Sequence, residues 1–133
     1  MFKGPLEDRL AIRERIDAYC DAVFRHDAED WIENWREDGV WRLPGLEVVG
    51  KAQIKAAWVQ AMSVFALAGF FATPGAIEAQ GNRASARVYT LEVLVEHSGK
   101  VRRIVGAYDD QLIKTHGVWL FASRTYAIRH EDS

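Results

Sequence analysis

Apolar residues first recur at helical spacing. Ile12, Ile16, Tyr19 and Val23 follow at steps of four, three and four, which stacks them along one face of an α-helix. Asp17 and Asp21 fall elsewhere on the same cylinder. The pattern predicts a first helix from Glu7 to about Arg25. Asp27 stands at the N-cap position of a second, short helix running from Ala28 to about Trp35. Gly39 to Pro44 reads as a short strand closed by a Pro44-Gly45 turn. Gly50-Lys51 then leads into a third helix with Ile54, Trp58, Ala61 and Phe65 on its apolar face. After Ala68 the helical spacing stops.

Three turn signals divide the remainder. Gly81-Asn82, Ser98-Gly99-Lys100 and Thr115-His116-Gly117 separate four strands over about residues 69–80, 83–97, 101–114 and 118–129. Pro74-Gly75 inside the first of these predicts a bulge or an edge position. Short connections make consecutive strands antiparallel neighbours. Three helices followed by such a meander predict an α+β fold, with the helices on one face of a curved sheet.

Two charges interrupt apolar faces. On the last strand, Val118, Leu120, Ala122, Arg124, Tyr126 and Ile128 alternate as one face, so Arg124 sits in a core-type row. A buried guanidinium needs a carboxylate or a polar ligand, because leaving it unpaired costs several kcal/mol. The alternative is that Arg124 snorkels out at the rim. Asp27 follows Val23 by four residues and continues the stripe of the first helix, toward the interior that Arg124 faces. It also serves as a helix cap, worth about 1 kcal/mol. The expectation is that Asp27 and Arg124 line one internal cavity.

Composition narrows the function classes. The chain has 133 residues, 49% hydrophobic and 27% charged, with net charge −2, which suits one globular domain over residues 1–133. Scattered Lys and Arg give no electrostatic footprint for nucleic acid. No apolar run is long enough to span a bilayer. Cys20 is alone, so no intramolecular disulfide forms. With no signal-peptide core at the N-terminus, the expected location is cytoplasmic. Cys20 lies about 80° from the centre of the helical stripe and reads as a packing residue. The four histidines have no metal-ligand spacing, so no metal is expected. Gly45 to Ala52 nearly matches a phosphate-binding loop but ends in Ala where Ser or Thr must hold Mg²⁺. Five tryptophans favour a pocket for a flat or bulky apolar molecule.

The order Tyr19, Asp27, Trp35, Asp38-Gly-Val-Trp41 and Gly50-x-x-x-Ile54 is joined by Ile104-Val-Gly-Ala-Tyr-Asp-Asp-Gln and Gly117-Val-Trp-Leu-Phe-Ala-Ser-Arg124. Together they resemble the SnoaL-like branch of the NTF2-like superfamily over nearly the whole chain. The resemblance implies a cone, a curved antiparallel sheet closed by three helices around one pocket, assembled as a homodimer or homotrimer. Members include polyketide cyclases, scytalone dehydratase, ketosteroid isomerase relatives and hexachlorocyclohexane dehydrochlorinase, many acting without a cofactor. Asp27 matches the aspartate of the Asp–His dyad in dehydrochlorinase-like members, and Arg124 matches an arginine of their pocket. The dyad histidine position holds Phe70.

The resulting expectation is a cofactor-free lyase acting on a small hydrophobic, aromatic or polycyclic molecule. Asp27 would be the base, Arg124 would stabilise an oxyanion or leaving group, and Tyr19 would assist. Trp41, Phe70, Tyr108 and Tyr126 would form the substrate walls. An isomerase or cyclase using the same residues, a non-catalytic binding protein and an assembly module are the alternatives. Phe70 in place of histidine weighs against a His–Asp proton abstraction.

Overall fold

A computed structural model describes residues 1–133. Its elements are β1 (Phe2–Lys3), α1 (Leu6–Arg25), α2 (Ala28–Ile32), β2 (Trp35–Leu43), β3 (Leu46–Val49), α3 (Lys51–Met62), β4 (Phe65–Gln80), β5 (Arg83–Glu96), β6 (Val101–Thr115) and β7 (Val118–Asp132). The stripe of α1 is the buried one: Ile12, Ile16, Tyr19 and Val23 all lie in the core. The second helix is shorter than its pattern predicts. Trp35 is already in β2 and Phe65 opens β4 rather than closing α3, since both aromatic rings reach the same core from a strand.

All seven strands form one curved sheet in the order β1-β4-β5-β6-β7-β2-β3. The β4–β7 meander is antiparallel as expected. The sheet is nevertheless mixed, because β2 pairs parallel with β7 and β1 parallel with β4. The cause is chain order: β2 precedes α3 and the meander, and it returns to the sheet beside the last strand. The helices are joined to the sheet chiefly through α1 on β4 and α3 on β2.

Strands of 14 to 16 residues do not curl without breaks in register, and bulges supply them. Gly75 is skipped between Pro74↔Val88 and Ala76↔Arg87. On β7, Ala122 and Arg129 are both skipped in the pairing with β6. The bulge at Ala122 corrects the predicted face of the last strand. Before it the inward residues are Trp119 and Phe121, both buried, while Val118 is exposed; after it they are Arg124, Tyr126 and Ile128. A strict period of two fails there because one extra residue switches the face.

Arg124 is 1% exposed and finds its carboxylate directly across the ladder. Its Nε donates to Asp110 Oδ1 at 2.7 Å and Nη2 to Oδ2 at 3.0 Å. The guanidinium carbon lies 3.8, 4.3 and 4.4 Å from the ring centres of Tyr108, Phe121 and Tyr19. Burial alone would push this guanidinium down, but the Asp110 carboxylate holds it above its ordinary value. Nη1 has no partner. Removing one member of a buried pair leaves the other charge uncompensated, whereas replacing both with apolar groups is often neutral. Asp110→Ala is therefore expected to lower unfolding free energy by about 3–5 kcal/mol in urea titrations, and Asp110→Leu/Arg124→Met to recover most of it.

Candidate functional site

The helices and the buried side of the sheet enclose a pocket of about 400 Å³, lined by 19 residues of which 16 are hydrophobic. This is the volume and character of a small-molecule site. α1 contributes Tyr19 and Val23, β2 contributes Trp41, α3 contributes Trp58, and β4 contributes Phe70. Tyr108 comes from β6, and Tyr126 with Ile128 from β7. The structure thus places Tyr19, Trp41, Phe70, Tyr108 and Tyr126 on one lining.

Asp27 and Arg124 do not share that cavity. α1 ends at His26, whose left-handed backbone (φ 55°) breaks the helical period. Asp27 accordingly leaves the Val23 stripe. Its Oδ1 accepts the Asp30 backbone N–H at 3.0 Å and its Oδ2 accepts Arg25 Nη1 at 3.0 Å. The Asp30 N–H, with Arg25, holds the Asp27 carboxyl below the usual range. A group so arranged is a helix cap and a poor proton acceptor. Arg124 is inward, but it lies behind the Tyr19 and Tyr108 rings and spends its polar contacts on Asp110.

The carboxylate on the lining is Glu92, which sequence reasoning missed. It is 6% exposed, opposite Phe70 on β4 and Ile104 on β6. Tyr126 Oη donates to Glu92 Oε2 at 2.6 Å and Thr90 Oγ1 donates to the same oxygen at 2.7 Å. Oε1 is left as the free oxygen of a carboxylate that lines the cavity. Burial pushes the Glu92 carboxyl up from its ordinary value, and the Tyr126 and Thr90 donors offset part of that rise. A signal for Glu92 was present: Ala84, Ala86, Val88, Thr90, Glu92 and Leu94 alternate as the buried face of β5. Glu92 stands in that row as Arg124 stands in its own.

Gly106 makes this arrangement possible. It faces Thr90 across the ladder, and a Cβ there would lie 2.5 Å from Thr90 Oγ1 and 2.8 Å from Tyr126 Oη. The space a side chain would take is filled by the two hydroxyls that hold Glu92. Tyr19 and Tyr108 are pushed up by burial, so both stay protonated and can act as hydrogen-bond donors. The Cys20 thiol is pushed up to about 11 by burial, consistent with a packing role. No three His, Cys, Asp or Glu side chains converge as a metal set, and no helix is long and apolar enough to cross a membrane.

The fold has solved counterparts. A provisionally named aromatic ring hydroxylase from Novosphingobium aromaticivorans is 25% identical with a TM-score of 0.89, over 96% of this chain and 93% of that one. A provisionally named scytalone dehydratase from the same organism is 18% identical with a TM-score of 0.89, over 96% and 87%. Hexachlorocyclohexane dehydrochlorinase LinA-type3 from Novosphingobium barchaimii is 15% identical with a TM-score of 0.82, over 96% and 90%. No curated protein matches the sequence. The SnoaL-like domain family matches residues 4–125, and with nearly the whole chain covered, this protein belongs to that family.

Proposed function

We propose that this protein is a cofactor-free acid–base enzyme, a lyase that removes a proton and expels a small leaving group from a ring compound with an apolar body. Isomerisation by the same proton transfer is the close variant. The observation that carries this reading is Glu92: a single carboxylate, buried, with one oxygen fixed by two donors and the other free, in a largely apolar pocket. A base whose proton affinity is raised by burial works nearer neutral pH than an exposed glutamate does. Glu92 lies directly across the ladder from Phe70, the position at which the family resemblance places a dyad histidine. The base has thus moved one strand over. Tyr19 and Tyr108, protonated on the same lining, would donate to oxygen as negative charge develops there. The dehydratase and dehydrochlorinase names among the structural counterparts support the lyase class.

An assembly module with a plugged pocket is the weaker reading. Trp31, Trp35 and Trp119 are core residues off the lining, and Trp41 and Trp58 are walls that leave the cavity open.

The test begins with a thermal-shift screen of aromatic and polycyclic compounds, followed by product analysis of the hits. Glu92→Gln is expected to lower turnover by about two orders of magnitude or more. Stability should move the other way. A carboxyl raised in the folded state gives stability that is present below its unfolded value and lost as pH rises through the folded one. Glu92→Gln should therefore melt above the wild type at neutral pH, the difference vanishing in acid. Wild-type turnover in this variant ends the proposal.

Asp27→Asn is expected to leave turnover unchanged and stability within about 1 kcal/mol, since Asn caps a helix as well as Asp. Gly106→Ala should displace the Tyr126 and Thr90 hydroxyls from Glu92. The acid limb of the pH–rate profile would then move to higher pH, and Gly69→Ala on β4, where a Cβ meets nothing nearer than 3.4 Å, should leave that limb in place.

A further inference from the structure

The pocket has two charged residues on its lining, and the base accounts for only one. The other is Arg102 on β6. Its partner across the ladder is Leu94, which lines the same cavity, and Ile104, two residues on, is buried there as well. Its side chain is nevertheless 29% exposed, at the edge of the cavity.

Its contact within the protein is Glu131. Arg102 Nε donates to Glu131 Oε2 at 2.8 Å and Nη2 to Oε1 at 3.2 Å, and both side chains are about 30% exposed. Glu131 reaches this position because Arg129 is skipped in the pairing of β7 with β6, which puts Ile128 and Glu131 on the same side. A pair this accessible to water contributes at most about 1 kcal/mol, too little for stability to be the reason for a cation in an apolar wall. Two of the guanidinium's three nitrogens are engaged, and Nη1 makes no hydrogen bond within the protein.

Register fixes the spacing to the base. Glu92 faces Ile104 and Leu94 faces Arg102, so Glu92 and Arg102 are diagonal neighbours, about 7–8 Å apart at the backbone. Both line the same cavity, so one bound molecule can meet the two. Resting on the reading of Glu92 as base, we propose that Arg102 is the anion-recognising subsite of this pocket and that the substrate is a ring-bearing organic carboxylate. Its apolar body lies on the aromatic walls, its carboxylate meets Arg102 in place of Glu131, and the proton to be moved faces Glu92 on the neighbouring strand.

Binding tests this separately from turnover. The probes are 2-naphthoate and its neutral isostere 2-naphthamide, titrated against the full chain by calorimetry at low salt. The wild type is expected to bind the carboxylate about tenfold tighter than the amide. Arg102→Gln should erase that preference while amide affinity stays within about twofold, which shows an intact pocket. Glu131→Gln, by removing the competing negative charge, should strengthen naphthoate binding and leave the amide unchanged, an effect that a purely structural ion pair would not produce. Glu92→Gln should keep the carboxylate preference whatever becomes of turnover, so failure of the base assignment leaves this subsite standing. Equal affinity for the two probes, an unchanged preference in Arg102→Gln, or no saturable binding of naphthoate at millimolar concentration overturns the proposal.

Discussion

The buried contact between Arg124 and Asp110 sets the terms for everything around it. A guanidinium in the middle of a core can persist only if its charge is matched and its faces are covered, and both conditions recruit neighbours. Asp110 supplies two acceptors from the adjoining strand, and Tyr19, Tyr108 and Phe121 cover the planar surfaces. Three elements, α1, β6 and β7, are thereby tied at one point. Tyr19 and Tyr108 then present their other sides to the cavity. The ion pair is thus the support of the pocket wall rather than a member of the pocket, and its geometry decides where the two phenols stand.

Inside the wall the electrostatic logic reverses. Where the charge of Arg124 is met by a bonded carboxylate, that of Glu92 is not: its donors are neutral hydroxyls, both on one oxygen, and no cation bonds it. Burial without a bonded counter-ion makes a carboxyl reluctant to ionise, and the Arg102 charge on the same lining offsets only part of that effect. The two buried charged sites differ in whether a bonded counter-charge was supplied, and that difference separates the structural Arg124 from the proposed base Glu92. It also explains why Asp27, capped onto a backbone N–H and paired with Arg25, belongs with the structural groups.

Much of the fold was legible in the sequence because it is written in local periodicity and turn chemistry. The stripe of α1, the Asp27 cap and the three hairpin turns depend on residues near one another in the chain, and each is found where expected. The parallel return of β2 beside β7 depends on contacts across about eighty residues, and no short pattern encodes it. The site was half legible. The aromatic lining followed from composition and resemblance. The inward place of Arg124 is legible in the alternation, but its partner on β6 is not, because the bulge at Ala122 sets the register that faces it with Asp110. Asp27 was misplaced because the αL turn at His26 ends the period that carried the argument. Glu92 was overlooked although the alternation of β5 points it inward as plainly as that of β7 does Arg124.

Gly106 carries a consequence for how such a sequence can drift. Its backbone has an ordinary negative φ, so no conformational rule requires glycine there. The requirement comes from two hydroxyls that occupy the volume of the missing side chain. Residues 90, 106 and 126 therefore cannot vary independently while position 92 keeps its carboxylate. A lineage that acquires a side chain at 106 must first give up Tyr126 or Thr90, and with it the hold on Glu92. The empty position is a lock on evolutionary paths: one hydrogen atom at residue 106 ties the fates of three strands together.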